Sequence, residues 1–91
     1  MTKSEFISTL SAATDMKKSD VERVIAAAAN TLTGVMRSGD SVNISGFGIF
    51  TSKVRDAHPG RNHATGEAVE IPAKRVAIFK PAKQLKDAVN N

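Results

Sequence analysis

Residues 57–72, Ala-His-Pro-Gly-Arg-Asn-His-Ala-Thr-Gly-Glu-Ala-Val-Glu-Ile-Pro, constrain the fold of this chain more than any other stretch. Gly60 and Gly66 punctuate the segment, prolines stand near both ends, and His58, Arg61 and His63 leave little apolar material. It cannot build a core of its own. The runs on either side, Gly48 to Arg55 and Lys74 to Phe79, nevertheless read as strands. The segment is therefore expected to project from the body as a β-ribbon arm, with Ala64-Thr65-Gly66-Glu67 at its tip. Limbs of roughly eight residues, at about 3.3 Å per residue, would reach on the order of 25 Å.

With the arm set aside, roughly 70 residues remain for the folded body, a size at which a lone core is marginal. The supply of large apolar groups is thin, with four Phe and neither Trp nor Tyr. Both facts favour a core shared between two copies, so an obligate dimer is expected. The chain has no cysteine, which removes disulfide staples and thiolate metal sites. Nothing in it resembles a signal peptide or a membrane span, and the expected setting is the cytoplasm. The sequon Asn43-Ile44-Ser45 is accordingly read as chance.

In chain order, Thr2-Lys3-Ser4-Glu5 is a capping-box pattern, and Phe6, Ile7, Leu10 and Ala13 follow at helical spacing. Ser19-Asp20-Val21-Glu22 repeats the box ahead of a second helix. On that helix Val21, Val24, Ile25, Ala28, Leu32, Val35 and Met36 share one face, and Ser38-Gly39-Asp40 supplies the stop. Such a stripe is read as core or dimer interface rather than a ligand box. Ser41 to Ser45 alternates as a half-buried strand, Gly46-Phe47-Gly48 turns, and Ile49 to Arg55 returns with Lys53 and Arg55 on one face. After the arm, Val76 and Ile78 mark a third core strand closed by Phe79 and broken by Pro81. A short terminal helix follows, with Leu85 and Val89 expected inward. The class is α+β: helices, a three-stranded antiparallel sheet with a protruding arm, and a final helix.

Residues 1–52 balance five Lys/Arg against five Asp/Glu, whereas residues 53–91 hold eight against four. The whole net charge of +4 thus lies in the half that bears the arm, which points to a polyanionic partner over an ordinary solvated basic face. Enzymatic readings fare poorly. Gly46-Phe47-Gly48 opens like a dinucleotide fingerprint, but Thr51 stands where the third glycine belongs and a strand follows, so a structural turn is preferred. His58 and His63 have only Glu67 and Glu70 as nearby carboxylates, too few converging ligands for a metal. No nucleophile is set beside a base. No cofactor or small-molecule substrate is expected. Arg61 and Asn62 are the sharper signal, because both side chains can enter a narrow minor groove and bond to its base edges. A disordered basic loop is the alternative, and the flanking strands weigh against it.

Gly46-Phe47-Gly48-x-Phe50, Arg55, Gly60-Arg61-Asn62, Thr65-Gly66 and Phe79-Lys80-Pro81-Ala82-Lys83-Gln84-Leu85-Lys86 together resemble the bacterial HU / integration host factor family over essentially the whole chain. That family is itself a standing example of minor-groove architectural binding, so what it implies about mechanism is inherited. The resemblance implies one domain, 1–91, in an intertwined dimer. Residues 1–40 would form the helical dimerisation part, 41–55 and 74–81 the sheet, 56–73 the DNA-embracing arm, and 82–91 the C-terminal helix.

Carried over by residue, Arg55, Arg61 and Asn62 would make the minor-groove and backbone contacts of the arm. Lys3, Lys53, Lys80, Lys83 and Lys86 would line the saddle and its flanks, and Gly46, His58, His63, Thr65, Lys74 and Arg75 complete the expected DNA-binding set. Val24, Ala28, Leu32, Val35, Phe47, Phe50 and Phe79 would form the dimer core. One departure stands out. The family places a wedging proline after Gly-Arg-Asn, and here the position is His63. Histidine needs partners for its ring nitrogens and gains a proton near pH 6.5, so bending is expected to be less sharp or pH-dependent.

The resemblance thus implies a nucleoid protein that binds double-stranded DNA with low sequence specificity and bends or compacts it. A sequence-preferring subunit like integration host factor, able to pair with a paralogue, is one competing reading. A dimeric protein-interaction module with an incidental basic arm is another.

Overall fold

The structure, a computed structural model, describes residues 1–62 and 64–91. Two compact units divide it inside the second helix, Met1–Thr33 and Gly34–Asn91. In the first, α1 (Lys3–Thr14) starts as the capping pattern requires. Thr2 Oγ1 accepts from the Glu5 amide at 3.2 Å and donates to the Glu5 carboxylate at 3.2 Å. Asp15 leaves the helix in the left-handed region (φ 60), which a short polar side chain tolerates. The long helix α2 spans Lys18–Arg37. Its start corrects the second capping box. The Lys17 carbonyl accepts from the Asp20 and Val21 amides, so Ser19 lies within the first turn and does not cap it.

The C-terminus of α2 is closed as a Schellman motif. Gly39 (φ +84) donates to the Met36 carbonyl and Asp40 to the Val35 carbonyl, both at 3.1 Å. The Ser38 hydroxyl adds a bond of 2.8 Å to the Val35 carbonyl. The Val35 and Met36 carbonyls at the end of this helix are thus bonded by the residues that immediately follow it.

In the second unit β1 (Val42–Ile44), β2 (Gly48–Arg55) and β5 (Lys74–Pro81) form an antiparallel sheet in the order β1-β2-β5. The strands β3 (His58–Arg61) and β4 (Ala68–Ile71) pair separately as the ribbon, and α3 (Lys83–Asn90) ends the chain. Arg55 faces Lys74 and His58 faces Ile71, so the two residues between them on each limb match one for one and the register is unchanged across the gap. The paired arm is therefore shorter than the expected limbs, four residues on each side. Pro72 stands in the gap without an N–H, and the Asp56 carbonyl there faces the His58 ring.

Packing inside the protomer is sparse. Among the described residues only Ile7 and Val21 count as a buried hydrophobic core. Of the expected dimer core, Leu32, Val35 and Phe50 are half-buried, Ala28 is exposed, and Val24 (57%), Phe47 (43%) and Phe79 (39%) remain open. The rings of Phe47, Phe50 and Phe79 cluster with centroids 4.8–6.2 Å apart, an aromatic patch on one sheet face. Val89, expected inward, is 78% exposed near the end of α3.

Candidate nucleic-acid interface

Strand alternation and register decide which cations act together. Phe50 pairs with Phe79, Ser52 with Ala77 and Val54 with Arg75, and these residues define one face of the sheet. The opposite face carries Ile49 with Lys80, Thr51 with Ile78, Lys53 with Val76, and Arg55 with Lys74. Val76 and Ile78, both half-buried, thus lie on the basic face, opposite to the one that carries Phe79. Four expected DNA-binding residues, Lys53, Arg55, Lys74 and Lys80, share this face, and no acid from β1, β2 or β5 lies on it. Arg55 and Lys74 sit directly opposite each other, a like-charge pair that costs roughly 0.2–1 kcal/mol. Among the described residues the ion pairs found are Lys3–Glu22 and Arg23–Asp20, so no sheet cation is neutralised by one.

The same alternation runs into the ribbon. Arg61 and Pro59 are in phase with Lys53 and Arg55, facing Ala68 and Glu70 on the return limb. Glu70 is the one acid in that phase on the ribbon. His58 lies on the other face with Gly60, Val69 and Ile71. Its Nδ1 is 3.1 Å from the Asp56 carbonyl, a hydrogen bond in which Nδ1–H donates. Thr65 turns its hydroxyl inward to accept from the Glu67 amide at 3.3 Å. His63 lies outside the described residues, and with it the wedge position.

Arg75 does not join the cationic face. Its Nη1 donates to Ser52 Oγ at 3.1 Å, and Ser52 Oγ donates to the Met36 carbonyl at 2.6 Å. A Cβ at Gly39 would lie 3.3 Å from the same Nη1. Arg75 is thus a cation at the C-terminus of α2, where the helix dipole is negative. The strand period turns it away from the basic face. Ser52 is a residue the sequence reading missed, since nothing local marks a serine that bonds to a carbonyl sixteen positions earlier.

Gly46 (φ +79) takes the turn between β1 and β2, as a glycine there should. A side chain on it would also meet Gln84 Oε1 at 2.8 Å, so the start of α3 lies beside this turn, although Gly46 itself is exposed. Gly48 differs. Its φ is not positive, and its requirement is space, because a Cβ would fall 2.5 Å from the Phe79 ring and 2.6 Å from the Lys80 carbonyl. Lys80, Lys83 and Lys86 follow at intervals of three, the last two on one face of α3, and all three are exposed. Lys3 is 3.8 Å from Glu22 with both side chains largely exposed, an ion pair of little energetic weight.

A ribbon rising in register from a sheet with one uncompensated cationic face defines a polyanion-binding protein of mixed α+β fold. The chain belongs to the bacterial DNA-binding protein family, whose model matches residues 1–90, and this is the group its motifs resemble. It is 41% identical to DNA-binding protein HU-1 of Halalkalibacterium halodurans, over 99% of this chain and all of that one. It is 43% identical to DNA-binding protein HU of Geobacillus stearothermophilus, over 98% and 99% of the two chains. Among solved structures it is similar to HU in an Anabaena HU–DNA cocrystal, with a TM-score of 0.91 and 37% identity over 98% of this chain and 97% of that one.

Proposed function

We propose that this protein is an architectural double-stranded DNA-binding protein of low sequence specificity, acting as a dimer in the nucleoid of the bacterial cytoplasm. The basic sheet face seats on phosphates, and the arm enters the minor groove and bends or compacts the duplex. The phase of the cations carries the reading. Lys53, Arg55, Lys74 and Lys80 share one face, and Arg61 continues it onto the ribbon. A cross-strand cation pair with no acid on its face weakens the isolated sheet, and a row of phosphates turns that cost into binding energy. Lys83 and Lys86 on α3, and Lys3 on α1, are assigned to the flanks. Arg75 is assigned to the end of α2.

The dimer follows from the same surfaces. The Phe47 and Phe79 rings and the Val24 face of α2 are too exposed for a stable monomer of this size, and a second copy would cover them. Residues 1–40 are assigned to that contact.

Affinity for a random duplex measured against salt tests the reading. With roughly five such cations on each of two protomers, log K should fall steeply with log salt, at about 0.9 per phosphate neutralised. A slope equivalent to one or two released counterions would overturn it.

A further inference from the structure

The cationic face of the ribbon carries one charge of the opposite sign. Glu70 faces Pro59 across the ribbon, and both continue the phase of Lys53, Arg55, Lys74 and Arg61. The Asn62 amide donates across the ribbon to the Glu67 carbonyl at 2.8 Å, so on β3 the amides of even-numbered residues point at the partner strand. Pro59 and Glu70 are therefore a non-hydrogen-bonded pair, the kind in which facing side chains stand closest. The residue opposite this carboxylate is thus a proline, with neither a charge nor an N–H to offer it. Arg61 is the diagonal neighbour on the same face, where such residues lie roughly 7–8 Å apart. Among the described residues no ion pair joins Arg61 to Glu70, and Glu70 is exposed. Asp56, the acid at the foot of the arm, falls in the other phase between Val54 and His58.

We infer that Glu70 is an electrostatic brake on the arm, a carboxylate that lowers the affinity of the ribbon for the duplex. The inference rests on the proposed function and adds a residue whose effect opposes that of the cations around it. In the free protein an exposed carboxylate keeps its water. DNA brings phosphates to the same face, and a like charge set against them is repelled unless a cation lies between. The facing residue, Pro59, supplies none. The repulsion is largest where screening is weakest, so Glu70 also flattens the salt dependence that the cations create. The sheet cations, whose own strands place no acid on their face, then carry the larger share of the affinity.

Binding of the full-length protein to one random-sequence duplex, titrated against salt, tests this with three variants. Glu70→Gln keeps the size of the side chain and removes its charge. It should bind about three- to tenfold more tightly at low salt, the scale of one unit charge a few ångströms from a phosphate in a largely aqueous setting. That advantage should shrink as salt rises, so the slope of log K should steepen by up to about one for each protomer. Glu70→Asp restores the charge and should stay within about twofold of wild type. Asp56→Asn raises the net charge by the same amount from the other face, and it too should stay within about twofold. Protection of the Asn62 amide from hydrogen exchange should be alike in all four proteins, because none of the changes touches its bond to Glu67. If Glu70 instead orders the ribbon through Arg61, Glu70→Gln binds more weakly and loses that protection, which overturns the inference. Equal affinity of Glu70→Gln and wild type overturns it too, as does an equal gain in Asp56→Asn. In each of these cases steeply salt-dependent binding by the wild type leaves the proposed function standing. A wild-type slope of only about one or two counterions overturns the function and this inference together.

Discussion

Arg75 separates a cation that holds the fold from cations that bind. Replacing it by Ala removes the 3.1 Å bond to Ser52 Oγ and the positive charge beside Gly39 at the end of α2. A hydrogen bond to a charged group contributes about 1.5–3 kcal/mol, and a cation at a helix C-terminus about 0.3–1 kcal/mol. Arg75 is exposed, so solvent screening takes both to their lower ends or below, and the sum is about 1–2 kcal/mol per protomer. Ser52 keeps its bond to the Met36 carbonyl, so no polar group is stranded. At roughly 4–8 °C per kcal/mol for a domain of this size, Arg75→Ala should lower Tm by about 4–16 °C at fixed protein concentration. The salt dependence of duplex binding should barely change.

Arg55→Ala is the counterpart. It removes a residue from the basic face and relieves the repulsion with Lys74, so Tm should hold or rise slightly. The salt slope should drop by about one for each protomer. Thermal melts and salt titrations on the two variants decide between the roles. If Arg75→Ala reduces the slope as much as Arg55→Ala and leaves Tm unchanged, the assignment of faces from the register is wrong.

Gly48→Ala should destabilise the fold by about 1–3 kcal/mol in urea unfolding, because the new Cβ meets the Lys80 carbonyl, which no rotamer change can move aside; a change under about 0.5 kcal/mol would refute the close approach. Phe79→Ala should cost little if its 39% exposure persisted in solution, but about 3–5 kcal/mol if a second copy covers the aromatic patch. Sedimentation at micromolar concentration should then show dissociation, and an unaltered dimer would count against a shared core. Substituting Pro for His63 should increase the bend angle measured by fluorescence on a fixed duplex, since an apolar ring fills an opened base step without unpaired nitrogens. Equal bends for the two proteins would remove histidine from the account of bending.

Local chemistry made several elements legible without any coordinates. Thr2 and Glu5 announce the start of α1, Gly39 the end of α2, and the alternation around residues 48–55 and 74–81 the ribbon's parent strands, because each signal involves residues within a few positions of one another. The excess charge of the second half likewise marks a polyanion partner, since Coulombic bias depends on composition more than on detailed geometry. The tertiary structure alone decided which cations act together. Lys74 and Arg75 are neighbours in sequence and equal in charge, yet the period of a strand turns one toward the basic face and the other toward the end of α2. Only a register set by pairing with a distant strand could tell them apart. The commitment of Asn62 to its own loop is of the same kind. A sequence shows that an asparagine can donate and accept; only the closed turn shows that its side-chain oxygen bonds the Ala64 amide.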